Sequence, residues 1–261
     1  MNKLLQGVLV LLVIAGVVIF MIIKKKKKKI DPFPANWHLL LVDHVKFYAE
    51  LNAEEQKRFQ QRIMLFLSEV YIESVSFQLE DLDRLLVASS AVIPVFGFKN
   101  WRYSNLSTVI LYPDHFDKNL IFENSGEDKI VMGLVGNGRF EHQMILSRRA
   151  LHEGFDRHND LLNTGIHEFV HLIDKVDGVT DGVPERLLKQ AYIIPWLKMV
   201  HKEMEAINAH KSDIRNYGGT NEAEFLATAS EYFFENPGLM QRKHPDLYKM
   251  LHDCFFPDEK I

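Results

Sequence analysis

A single cysteine, Cys254, stands among 261 residues. No intramolecular disulfide is possible, which fits a reducing compartment and leaves the fold to be held by its core. There is no internal repeat, and no low-complexity tract beyond one lysine run, which sets repeat architectures aside. Acidic residues are missing from the first 29 positions, where seven of the 31 Lys and Arg lie; the remainder carries 24 basic side chains against 35 acidic ones. A body that acidic does not suit a polyphosphate surface, and no nucleic-acid partner is expected.

What is present begins with an apolar run, Leu4 to Ile23, broken only by Gln6. About 20 residues at ~1.5 Å each match a hydrocarbon layer of ~30 Å, so the run predicts one transmembrane helix. A cleaved signal peptide would carry its charge before a shorter apolar region and end in small residues; here Lys24 to Lys29 follow instead. That charge against the lone Lys3 predicts a single-pass membrane protein whose catalytic domain is cytoplasmic, with the lysines suited to anionic headgroups. The expected organisation is a transmembrane helix and polybasic flank over 1–29, a linker with two prolines over 30–37, and one domain over 38–261. A chain of this length that is 47% hydrophobic can bury one sizeable core.

Within that domain, Asp43 to Tyr71 reads as helix, with Phe47, Leu51, Phe59, Ile63 and Phe66 at helical spacing and a break at Asn52 to Glu54. Leu79 to Ala91 predicts a further helix, ended by Ile93-Pro94. Thr108 to Tyr112, Lys129 to Val135 and Gln143 to Ser147 read as strands of a small sheet whose edge could hold an extended peptide. Pro184 is placed to open a helix through Leu187, Leu188 and Ala191. Pro195 interrupts that pattern, and Lys198 to Ala209 reads as a separate helix.

The chemistry gathers in Ile166-His167-Glu168-Phe169-Val170-His171, an H-E-x-x-H sequence. On a helix, residues four apart lie one above the other, so His167 and His171 offer two imidazoles to one point with Glu168 beside them. Ile166, Phe169, Val170, Ile173 and Val176 supply a buried face for that helix. Asp174 is placed to accept the outer N–H of a ligating imidazole. A zinc site needs a third protein ligand. Thr220 or Asn221 can cap a helix with Phe225, Leu226, Ala229 and Phe233 on its apolar face, and Glu224 falls one turn inside it. Glu224 is the first choice and Glu231, two turns later, the competitor; Glu222 reads as a charge complementing the helix dipole.

Taken together, these motifs resemble the Mlc titration factor A family of zinc metallopeptidases, gluzincin-like proteins whose catalytic half is similar to that of the toxin lethal factor. The resemblance runs from Ile93 to Glu235. Its residues are Ile93-Pro94-Val95, Val109 to Pro113, Ile145-Leu146-Ser147, Ile166 to Asp174, Gly182-Val183-Pro184, and Asn221 to Glu224 followed by Ser230 to Phe234. It implies His167, His171 and Glu224 as Zn2+ ligands, Glu168 as general base, and Tyr217 as an electrophilic hydroxyl, with Gly218-Gly219 giving it room. The membrane anchor is a departure from that family. The expected fold is α+β: a mainly helical zincin-like metallopeptidase domain with a small β-sheet, preceded by one transmembrane helix. The expected function is a membrane-tethered zinc peptidase acting on a peptide or protein substrate. The alternative is a zinc-containing regulatory binding protein that sequesters a cytoplasmic partner such as a transcription regulator.

Overall fold

The computed structural model describes residues 30–114, 133–135, 142–156, 161–188 and 190–257. The chain divides into two units, Met1–Asp31 and Pro32–Ile261, and the elements below all belong to the second.

Two short helices, α1 (Trp37–His44) and α2 (Lys46–Ala49), lead to α3 (Ala53–Glu69). The break at Asn52 is a reciprocal cap: Glu54 and Glu55 donate their backbone N–H groups to Asn52 Oδ1 at 3.0 Å each, and Asn52 N donates to Glu55 Oε2 at 3.0 Å. Phe59, Ile63 and Phe66 then bury one face of α3 against α4 (Asp81–Val92), which is buried along most of its length. The 3-10 turn Ile93–Val95 ends α4 at Pro94.

Among the described residues the sheet has four strands, β1 (Tyr71–Ser74), β2 (Thr108–Tyr112), β3 (Gly133–Val135) and β4 (Gln143–Ser147), in the order β1-β2-β4-β3. β1, β2 and β4 run parallel, with Ile72 opposite Val109 and Val109 opposite Met144. β3 lies antiparallel on β4, pairing Leu134 with Ile145. Four of the five residues of β4 are buried, as a parallel strand covered on both faces requires. Chain direction turns at once into α5 (Arg148–Asp156). There Arg148 Nε and His152 Nε2, both 2.7 Å from Asp83 Oδ1, tie α5 to the first turn of α4.

The remaining elements are α6 (Thr164–Asp174), the 3-10 turn Lys175–Asp177, α7 (Gln190–Asn208), the 3-10 turn Asn216–Gly219, α8 (Glu222–Glu235), α9 (Pro237–Lys243) and α10 (Pro245–Phe255). α6 lies in the middle, packed on α4, α5, α8 and β3. Phe169 on its buried face meets Phe66 and Tyr103 with ring centroids 5.7 and 5.2 Å away. The approach to α4 is close enough that a Cβ on Gly165 would stand 2.1 Å from Ser90 Oγ.

The architecture is mainly helical α+β with a small sheet, as expected, with local differences. β1 hides at the end of the α3 pattern because four residues are too few to show a period of two. Strand 129–135 is seen only as Gly133–Val135; its earlier part lies outside the described residues. Pro184 opens no helix: Glu185, Leu187 and Leu188 hydrogen-bond back to Val183 and Pro184 as turns. α7 begins at Gln190 and runs through Pro195. A proline there removes one backbone hydrogen bond, and the adjacent Trp196, fully buried with Nε1 donating to Gly182 O at 2.7 Å, holds the helix in place.

The expectation of a single-pass membrane protein is corrected. Among the described residues no helix is long and apolar enough to cross a membrane. The longest, α7, has 19 residues but carries Lys198, Lys202, Glu203 and Glu205, each costly in hydrocarbon. The run Leu4 to Ile23 lies outside the described residues.

Candidate metal centre

Asn163 begins the site. Its Oδ1 accepts the backbone N–H of Ile166 at 3.0 Å and caps α6; its own Nδ2 donates to Gly154 O and to Glu235 Oε1 at 3.2 and 3.0 Å. The helix so fixed presents His167 and His171 on one side, and α8, capped by Asn221 Oδ1 accepting Glu224 N at 2.9 Å, brings Glu224 to them. Gly182 sets that approach: at φ +77 its α-carbon faces the start of α8, where a Cβ would lie 2.3 Å from the backbone carbonyl of Glu222.

The three groups converge. His167 Nε2 stands 3.0 Å from Glu224 Oε2 and 3.1 Å from His171 Nε2, and His171 Nε2 stands 3.3 Å from Glu224 Oε2. His167 Nδ1 lies 2.7 Å from Glu231 Oε1. With its proton on Nδ1, donated to Glu231, neutral His167 turns a bare lone pair toward the other two ligand atoms. Three electron-rich atoms then face one another with no proton to share, and a cation between them relieves the repulsion. The spacing also fits one. Around a tetrahedral ion with bonds of ~2.0–2.1 Å, ligand atoms stand ~3.3 Å apart. Among the described residues this is the set of His, Cys, Asp and Glu side chains placed to hold a metal ion.

The surroundings are electrostatically tuned. Burial works against a charge on His167, but the Glu231 charge and the hydrogen bonds with Glu224 and Glu231 raise its pKa. Burial likewise opposes ionisation of Glu224; in the alternative state, with a proton on each imidazole Nε2, the hydrogen bonds from His167 and His171 outweigh it and hold the carboxylate well below its ordinary range. Glu168, 7% exposed, is pushed upward chiefly by burial, the positive influence of His167 and His171 working the other way. Raising a carboxylate toward neutrality is the usual way to make it a proton acceptor at working pH. Tyr217 is 45% exposed, its ring 5.8 Å from that of His167. Burial and the neighbouring Glu224, to which its hydroxyl hydrogen-bonds, push it up to about 12, so it is a donor at neutral pH.

Of the residues singled out in the sequence, His167, Glu168, His171, Tyr217 and Glu224 all meet here. Asp174 has a different place. It accepts the backbone N–H of Gly182 at 2.8 Å, and His171 Nδ1 is buried without a hydrogen-bond partner. Glu231, the competitor for third ligand, takes the role expected of Asp174. It is 1% exposed; Oε1 accepts from His167 and from Arg215 Nη2, and Oε2 accepts the backbone N–H of Asn163 at 2.6 Å. Arg215 has no signal in the sequence, because it belongs to no motif and acts through Glu231; Asn163 could have been found as the N-cap residue just before the H-E-x-x-H helix.

A two-histidine, one-glutamate cluster of this kind, set on an H-E-x-x-H helix of an α+β domain, defines a metallopeptidase-like protein. The sequence profile of the glucose-regulated metallo-peptidase M90 family matches residues 21–256, and the chain belongs to that family. It is similar to an uncharacterized protein of Synechocystis sp., 30% identical over 235 residues that cover 86% of this chain and 84% of the relative. It is also similar to the Mlc titration factor A proteins of Enterobacter sp. (27% identity, 80% of each chain) and Pectobacterium atrosepticum (26% identity, 82% of this chain and 83% of the relative).

Proposed function

We propose that the protein is a zinc-dependent peptidase, with His167, His171 and Glu224 holding the metal and Glu168 as general base. The observation that carries this reading is the meeting of three ligand atoms within 4.8 Å of one another, beside a buried carboxylate on the same helix. Zinc bound there supplies a Lewis acid that makes water more acidic and polarises a carbonyl. Glu168, which has no hydrogen bond among the described residues, takes the proton of the attacking water and returns it to the leaving amine. Tyr217 donates a hydrogen bond to the oxyanion that develops on the substrate carbonyl. β3, which of the two outer strands among the described residues is the one packed against α6, offers backbone groups to an extended peptide. Glu168→Gln tests the assignment: it is expected to keep metal stoichiometry while hydrolysis of a peptide library falls on the order of 10²–10⁴-fold. Turnover at the original rate in that variant removes Glu168 as the base.

The relatives' name, Mlc titration factor A, favours a second reading, and on those comparisons alone it is the better supported one. In it the metal clamps α6 to α8, and the protein regulates by binding a protein partner such as a transcription regulator. The same variant separates the two. A binder keeps full activity in cells with Glu168→Gln, whereas a peptidase loses it.

A further inference from the structure

Between α3 and the segment after α4 lies a shallow, open depression lined by Arg62, Phe66, Val70, Val92, Trp101 and Tyr103. Its walls are largely apolar, yet one donor there lacks an acceptor and one cation lacks a counter-ion among the described residues. Trp101 Nε1 is buried with no hydrogen-bond partner, and buried polar groups are otherwise almost always satisfied. Arg62, partly buried, donates from Nη1 to Val95 O at 2.6 Å, and among the described residues it forms no ion pair. Glu69, the acid on the same wall, is engaged by Arg102 at 2.6 Å. Arg58 adds charge of the same sign nearby, its guanidinium 4.1 Å from the centre of the Phe96 ring that Arg62 approaches at 5.6 Å. Burial and repulsion from Arg58 lower Arg62 to about 10, the mark of a cation without a counter-charge. Leaving such a group half out of water unpaired is costly.

We propose that this depression is a second ligand site that takes a small carboxylic acid with an apolar body. The carboxylate accepts from Arg62 and Trp101, and the body lies on Phe66, Val70 and Val92. Among the residues that line the depression, Arg102 is paired with Glu69 and Arg62 is left with one unpaired positive charge, which matches a monoanion, and the apolar walls disfavour a bare inorganic one. The site is separate from the metal centre and does not depend on the peptidase reading.

The test follows the indole N–H resonances of the full chain during titration with phenylacetate and, separately, with benzyl alcohol, an uncharged molecule of similar body. Phenylacetate is expected to shift one indole signal saturably, with Kd on the order of 1 mM or tighter, and that signal is the one absent from Trp101→Phe. Arg62→Gln should weaken the binding at least about tenfold, equal to ~1.4 kcal/mol, and benzyl alcohol should bind at least as much more weakly to the unaltered protein. No saturable shift, a shift confined to Trp37 or Trp196, or equal binding of acid and alcohol overturns the proposal. The last comparison needs no variant, so it decides even if Arg62→Gln fails to fold.

Discussion

Glu231 shows how much of the site rests outside the H-E-x-x-H sequence. A carboxylate that accepts the outer N–H of a ligating histidine fixes which ring nitrogen faces the metal. Here the same carboxylate also holds Arg215, two residues before Tyr217. Glu231→Gln keeps the volume but removes the charge and replaces one acceptor oxygen by a donor, so the three donors, His167, Arg215 and the backbone N–H of Asn163, can no longer all be accepted. Metal affinity is expected to fall ~10–100-fold, read by competition with a chromophoric chelator. An unchanged affinity would show that the charge on Glu231 does not set how tightly the metal is held. The sequence can single out His167, Glu168 and His171 because helical spacing alone brings the two imidazoles to one side with Glu168 beside them. It cannot separate the roles of Glu224 and Glu231. Seven residues apart is two helical turns, and only the tilt of α8 against α6 decides which carboxylate reaches Nε2 and which reaches Nδ1. Asp174 misleads for the same reason: spacing puts it near His171, but the folding back of Gly182 claims its oxygen first.

At the scale of elements, the site exists because α8 can come close to the loop after α6. Gly182 permits this twice over, by its left-handed φ and by the missing Cβ. Gly182→Ala would force the backbone of Glu222 and Ala223 away, and Glu224 with it. The expected outcome is a folded helical protein, by far-ultraviolet circular dichroism, with metal stoichiometry well below that of the parent. Full occupancy would show that α8 adapts. A second close approach, Gly165 on Ser90, belongs to the core. Gly165→Ala is expected to cost ~1–3 kcal/mol in chemical denaturation, and Ser90→Gly in the same chain to recover part of it. The helices α3 and α4 are legible in the sequence because their apolar spacing is regular and their starts carry capping residues. α7 is not, since a proline usually ends a helix and nothing local reveals that Trp196 is anchored to a residue 14 positions earlier.

For the molecule as a whole, two clusters tie distant parts of the chain together, and each makes stability depend on solution conditions. The candidate metal centre lies between α6 and α8, so an ion held there only in the folded form would add RT ln(1 + [L]/Kd) to stability, ~4 kcal/mol at a thousandfold excess over Kd. Chelation should therefore lower the melting temperature, and should do so equally in Glu168→Gln, which leaves the ligands in place. The other cluster lies around Asp213. Burial works against its charge, but hydrogen bonds from Lys243, His244 and Tyr232 bring it down to about 2. His244 is raised, first by its hydrogen bond with Glu203, with burial opposing and Asp213 adding. The contribution of Asp213 is complete above its unfolded value of ~3.9 and fades as pH falls toward 2. That of His244 is complete below ~6.5 and fades as pH rises through its higher folded value. Both are present together between about pH 4 and 6.5. Melting temperature should drop from pH 6 to pH 9 in the parent protein by more than in His244→Gln; an equal drop in both would assign the loss to other groups.

One buried carboxylate, Glu231, collects hydrogen bonds from the backbone of Asn163, the ring of His167 and the guanidinium of Arg215. These donors come from stretches of chain about 50 residues apart, so lesions at any of them should fall into a single phenotypic class. A random screen for loss of function would then return hits at positions that share no motif, and their clustering around one oxygen pair would trace the wiring of the site without any knowledge of what it acts on.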